Sequence, residues 1–177
     1  GLLERFAVRF LLVAICAIVA FSSPRLQDLF AAPRDRIWWP MRTQSPVAQL
    51  RDVADRVRAE AAALPEGPLL TQDIYLAVEA RLPVPEGMEM GPFSYFPAFS
   101  HERAERCHVL NRDMMESLLA TTGAPVAAFS AYGFTIAAPA IQPVAAPDVA
   151  RFESIVTSRY ELIETIPNFG QAQTTLR

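Results

Sequence analysis

The stretch LLTQDIYLAVEARLPV, residues 69–84, changes its hydrophobic period within five residues. Pro68 through Thr71 is a short apolar run set off by Pro65-Glu66-Gly67, the pattern of a buried strand. Asp73 then stands where a helix N-cap belongs, its carboxylate placed to accept from a backbone amide of the next turn. Ile74, Leu76, Ala77 and Val78 follow as the inner residues of a helix. That helix must stop before Pro83, because proline removes a donor and crowds the preceding turn. A strand that feeds straight into a helix is the building unit of α/β domains.

The same alternation continues on both sides. Upstream, Ser45 and Pro46 read as N-cap and first helical residue. Val47, Leu50, Val53, Val57, Ala61 and Leu64 then recur at three- and four-residue steps, with Arg51, Asp52, Asp55 and Arg58 on the opposite side. Downstream, VPEGMEMGPFSYFP (84–97) has room for at most a short strand around Met88 to Met90. Ser100 opens a polar helix. Asn111 opens another, whose apolar face is Met114, Met115, Leu118 and Leu119. Residues 126–130 read as a buried strand, residues 134–147 as an Ala/Pro-rich loop, and residues 148–159 as an amphipathic helix through Val149, Phe152, Ile155 and Val156. From 160 to 166 Tyr, Leu and Ile alternate with Glu161 and Glu164, a strand signature. Pro167-Asn168-Phe169-Gly170 turns the chain back into a closing strand at 172–176. The expected domain is α/β, with a small, mostly parallel sheet flanked by helices and a closing antiparallel hairpin.

The N-terminal segment FAVRFLLVAICAIVA (6–20) is different in kind. Its uninterrupted apolar run, 10–21, is twelve residues; adding 6–8 and Ser22-Ser23 stretches it over 6–23. At ~1.5 Å per residue, eighteen residues give roughly 27 Å, just enough for a bilayer core, with Arg9 reaching back to the headgroups. The reading is an N-terminal transmembrane anchor over residues 1–23, against the alternative of a cleaved secretory signal. Residues 24–44 form a juxtamembrane linker carrying Ile37-Trp38-Trp39-Pro40, and residues 45–177 the α/β domain. Ala14, Ala17 and Ala20 recur at three-residue spacing, a smooth face for close helix contact. Trp38 and Trp39 are candidate contacts to membrane, core or partner.

Composition narrows the function. The 177 residues include sixteen basic side chains, every one Arg, against nineteen acidic ones, for a net charge of −3. No basic stripe suits nucleic acid. With 15 Pro and abundant Ala, the lack of Lys reads as coding bias. The chain is 51% hydrophobic, with a mean hydropathy of +0.18. Cys16 and Cys107 stand apart, without a CxxC pair.

Motifs of catalysis are missing. No GxGxxG follows a strand, no phosphate loop ending in Lys exists, and no GxSxG elbow is present. His101 and His108, read on one helix seven residues apart, would be ~10 Å apart and could not share a metal ion. The pairs Glu86/Glu89 and Glu102/Glu105 sit in polar settings where nothing tunes them. Phe93, Tyr95, Phe96 and Phe99 read as a plug at the edge of a small core, with a sugar-binding groove as the alternative. No catalytic, cofactor-binding or metal residue is expected.

The strings LLTQDIYLAVEARLPV (69–84), GMEMGPFSYFP (87–97), VLNRDMMESLL (109–119) and YELIETIPNFGQ (160–171) resemble one family. It is the C-terminal region of bacterial integral-membrane polyprenyl-phosphate-sugar glycosyltransferases, the dolichyl-phosphate-mannose–protein mannosyltransferase-like group. The resemblance implies a last transmembrane helix feeding a small α/β domain outside the membrane, opening with a strand–helix element. It carries over no catalytic residue, because the acidic loops that run the family's sugar transfer have no counterpart here. With the single span read over residues 6–23, signal-anchor logic and the resemblance together favour a single-pass bacterial inner-membrane protein with a cytoplasmic N-terminus and a periplasmic domain. The resulting expectation is a membrane-anchored, non-catalytic accessory subunit, with other membrane-protein subunits and the bilayer as partners and no nucleic acid. The alternative is the C-terminal portion of a multi-span lipid-linked-sugar glycosyltransferase.

Overall fold

The computed structural model describes residues 2–21, 45–130, 134, 144–167, 169 and 173–177. The chain divides into two compact units, Gly1–Thr43 and Gln44–Arg177.

In the first unit the described element is helix α1, Leu2–Phe21, with side chains described from 6 to 19. Among the described residues no helix is long and apolar enough to cross a membrane. The expected transmembrane anchor is therefore corrected. Although the helix backbone runs twenty residues, Glu4, Arg5 and Arg9 break its first half, and the uninterrupted apolar run 10–21 covers roughly 18 Å at ~1.5 Å per residue, short of a ~30 Å hydrocarbon core. Reaching eighteen residues needed Ser22 and Ser23, which lie outside the described residues. The single-pass, inner-membrane localisation with a periplasmic domain falls with the span.

The second unit holds α2 (Pro46–Ala62), β1 (Leu69–Thr71), α3 (Ile74–Ala80), a 3-10 turn (Gly91–Phe93), α4 (His101–Arg106), α5 (Arg112–Thr121), β2 (Val126–Ser130), α6 (Ala146–Arg159), β3 (Glu164–Pro167) and β4 (Gln173–Leu176). The strands form one sheet in the order β1-β2-β4-β3. Only β1 and β2 pair in parallel, Leu69 opposite Val126; β2–β4 and β3–β4 are antiparallel, with Ala128 and Glu164 flanking Leu176. The sheet is mixed, which corrects the mostly parallel expectation. The reason is placement: β4 enters between β2 and β3, so one hairpin contributes two antiparallel pairings. Local sequence pattern reports a strand, not its neighbour.

Helices start where their caps dictate. Ser45 Oγ accepts from Ala48 N at 3.1 Å, Asp73 Oδ1 from Leu76 N at 3.1 Å, Ser100 Oγ from Arg103 N at 3.4 Å and Asn111 Oδ1 from Met114 N at 2.9 Å. Strand alternation then sends side chains to two cores. Leu69, Val126, Ala128, Ile166 and Leu176 meet Val53, Ala54 and Val57 of α2 and Leu76, Ala77 and Ala80 of α3. On the other face Leu70 and Ala127 meet Met115 and Leu119 of α5 and Phe152 and Val156 of α6. Val78, read as an inner residue, is 70% exposed; Ala80 takes the inward place.

Two arginines join neighbouring helices. Arg58 of α2 donates from Nη2 to Glu79 O (2.8 Å) and from Nε to Ala80 O (3.3 Å), satisfying carbonyls at the end of α3. Arg159, closing α6, donates to Leu119 O and, at 2.6 Å, to Thr122 O at the end of α5.

Phe152 is fully buried, edge-on to Tyr95 at 5.7 Å and to Phe134 at 5.2 Å between ring centres. Phe152→Ala is expected to lower stability by ~3–5 kcal/mol. Denaturant unfolding of the full chain, followed by near-ultraviolet circular dichroism, checks this; a loss below about 1 kcal/mol would contradict the packing.

Candidate functional site

The residues singled out from sequence divide in the structure. Ala14 is half-buried and Ala17 exposed on α1, whereas the Ala20 side chain, Trp38 and Trp39 lie outside the described residues. Cys16 and Cys107 are both exposed and free. His101 and His108 do not share a helix: α4 ends at Arg106, and His108 sits beyond it in the left-handed region with φ 52°. Among the described residues no three His, Cys, Asp or Glu side chains could hold a metal ion together.

The aromatic cluster also splits. Tyr95 is buried in the core, as a plug would be, but Phe93 is 48% exposed. Phe96 and Phe99, both half-buried, stack at 4.9 Å, with the Arg103 guanidinium 4.0 Å over the Phe99 ring.

In open α/β sheets ligands favour the crevice beyond the carboxyl ends of parallel strands. Here that end of β1 is filled. Gln72 is buried, and its Nε2 donates to Phe134 O. Gly91, at φ 60°, packs so closely that a Cβ would lie 2.7 Å from Gln72 O. Asp73 caps α3, and burial pushes its carboxyl above the usual carboxylate range against the opposing pull of the Leu76 and Tyr75 amides. Burial likewise raises Tyr160, whose hydroxyl donates to Ala124 O at 2.9 Å. Burial raises Tyr95 too; its hydroxyl has no hydrogen bond of good geometry, although it lies near the Arg112–Asp148 ion pair of 2.8 Å. Each of these shifted groups is accounted for by capping or packing.

Elsewhere the described residues form an open cleft of about 1030 Å³ between the 85–90 loop, the end of α4 and one face of α5. Its shape has a local cause. Leu110 N donates to Ser94 O at 2.7 Å and Phe96 N to Leu110 O at 2.8 Å, so the 3-10 turn is stitched to the link between α4 and α5. Gly87, at φ 87°, lets the loop fold over Leu110, where a Cβ would stand 2.7 Å from Leu110 Cδ2. Met90, Val109, Leu110, Met114 and Leu118 supply apolar surface. Glu86, Glu89, Glu105 and Asp113 supply carboxylates, all exposed, and His101 Nε2 lies 3.2 Å from Glu105 Oε1.

Sequence reasoning named Glu86, Glu89, Glu105 and both histidines, but as separate pairs. It missed their convergence, and it missed Asp113. No local signal marks that convergence, because the cleft joins residues from separate segments of the chain. No family model, curated protein or solved structure matches this chain.

Asp73 generates a pH expectation. Because its folded-state pKa is raised, the stability linked to its protonation is fully present below about pH 3.8 and is lost as pH rises through the raised value. Asp73→Asn keeps an acceptor for the cap and removes that dependence, so its advantage over the parent should grow with pH across this window. Asp73→Ala should cost ~1 kcal/mol through loss of the cap. Denaturant midpoints of the three proteins at a series of pH values read both effects.

Proposed function

We propose that this chain is a non-catalytic accessory subunit that works by contact inside a larger protein assembly. The observation that carries the reading is the surface of α1. Phe10, Leu11, Leu12 and Val13 follow one another at about 100° steps around the helix axis, and are 78%, 59%, 57% and 68% exposed. A helix apolar on every side is stable only when something covers it. The apolar helices of a partner subunit are that cover, and the small Ala14 and Ala17 let them approach closely. Trp38 and Trp39 follow in the sequence as large rigid residues of the type that anchors interfaces.

The cleft is in keeping with contact. Its carboxylates and histidines are exposed to water, whereas groups that perform chemistry depend on a dry, preorganised setting. A second reading, the tail of a lipid-linked-sugar transferase, draws on the β1–Asp73–α3 unit, the strand–helix opening that the family resemblance implies. An upstream reading frame rich in further apolar segments would favour it.

Full-length protein bearing Ile15→Arg and Ile18→Arg, both on exposed α1 positions, should recover at least tenfold less of a stoichiometric partner in co-purification than the parent. Its thermal transition should not change. Retention of the partner at parental stoichiometry, or turnover of a lipid-linked sugar by the purified chain alone, would overturn the reading.

A further inference from the structure

We infer that the cleft between the 85–90 loop and α5 is a docking groove for a basic amphipathic peptide segment of a partner protein. The inference rests on the reading that the chain acts by contact, but it uses a surface separate from α1.

The argument begins with the helix. On α5, Met115 and Leu119 are buried in the core, while Met114 and Leu118, one residue before each, are only half-buried and face the cleft. Ser117 and Thr121 extend the same face with small polar groups. Opposite stands Met90, 52% exposed, on a loop held by Gly87 and by the stitching of Leu110. The groove therefore presents a floor of unbranched thioethers and leucine. Methionine on a binding surface adapts to irregular apolar side chains, because it is flexible and polarizable.

The rim decides what kind of side chains come with that apolar face. Glu86, Glu89, Glu105 and Asp113 border the groove, and among the described residues none that lines it is Arg. The neighbouring Arg112, at the start of α5, is drawn to Asp148 on α6 at 2.8 Å. An apolar floor under an acidic rim matches a segment with leucine-like residues on one face and arginine or lysine on the other, the pattern of helix-in-groove recognition. A cation without an apolar face would leave the floor uncovered, and a neutral apolar helix would make no use of Glu86, Glu89 and Asp113.

The test uses the full chain and a synthetic eighteen-residue helical peptide carrying leucine on one face and arginine on the other, followed by fluorescence anisotropy. Binding should be one to one and should weaken steeply with added salt. The exposed-residue variant Glu86→Gln, Glu89→Gln, Asp113→Asn should raise Kd about tenfold or more. Leu118→Glu, which alters the floor, should do the same. A control with equal charge removed elsewhere, Glu66→Gln, Glu153→Gln, Glu161→Gln, should bind as the parent does, and thermal transitions show that each variant is folded. Equal weakening by the control, equal affinity for spermine, or equal binding of a peptide with glutamate in place of arginine would overturn the inference. So would self-association of the chain that the groove variants abolish while the peptide fails to bind. If the peptide fails but the α1-dependent partner still co-purifies, the groove assignment falls and the contact reading stands.

Discussion

Every layer of the second unit meets at β2. Val126–Ser130 pairs with β1 on one edge and with β4 on the other, and Ala127 exchanges both backbone hydrogen bonds with Arg177 at 2.8 Å. Its side chains alternate between the two cores, Val126 and Ala128 to one and Ala127 to the other. A strand buried on both faces leaves no room for polar groups, so its backbone must be satisfied by neighbours on both sides. The alanines have a further effect. Small residues in the centre of the sheet leave space that larger side chains of the covering helices, Val57 on one side and Phe152 on the other, are able to fill.

The same economy of parts explains how the groove holds its shape. Its two walls belong to segments distant in sequence, the 85–90 loop and α5, and neither is regular strand. What fixes them is a short parallel bridge between Tyr95 and Leu110, together with a glycine that lets the loop approach the leucine. At the far end of α5, the Arg159 guanidinium collects the carbonyls that the helix leaves unpaired. Ion pairs from Arg112 to Asp148 and from Arg151 to Glu116 join α5 to α6. The helix that forms the groove floor is thus held along its length by α6, and its outer face lines the cleft.

Much of the fold was legible because its signals are local. Ser45, Asp73, Ser100 and Asn111 each announced a helix start, and each caps one through a backbone amide. The strand at 126–130 was evident from its unbroken apolar run between turn residues. What was not legible depends on neighbours. The hairpin was read, but not that β4 inserts beside β2, because pairing partners leave no mark on periodicity. The short strand for which 84–97 had room at Met88 to Met90 does not form; the chain turns there instead, with Gly87 and Gly91 at positive φ. The α5 stripe was read as one apolar face, although only Met115 and Leu119 are fully buried. A four-residue stripe looks alike whether it all faces the core or straddles its edge. The apolar N-terminal run showed a helix correctly, but composition alone overstated its reach.

The position of β4 has a consequence for how the protein is made. Translation delivers β1, α5 and β2 first, then α6 and β3, and only afterwards the strand that stands between β2 and β3. Until residues 173–176 have left the ribosome, one edge of β2 is bare and β3 has no strand to pair with. A domain of this order cannot finish folding from its N-terminal end as it emerges. The sheet closes only when β4 arrives, and until then the open edge of β2 is a bare strand edge of the kind that pairs with another polypeptide.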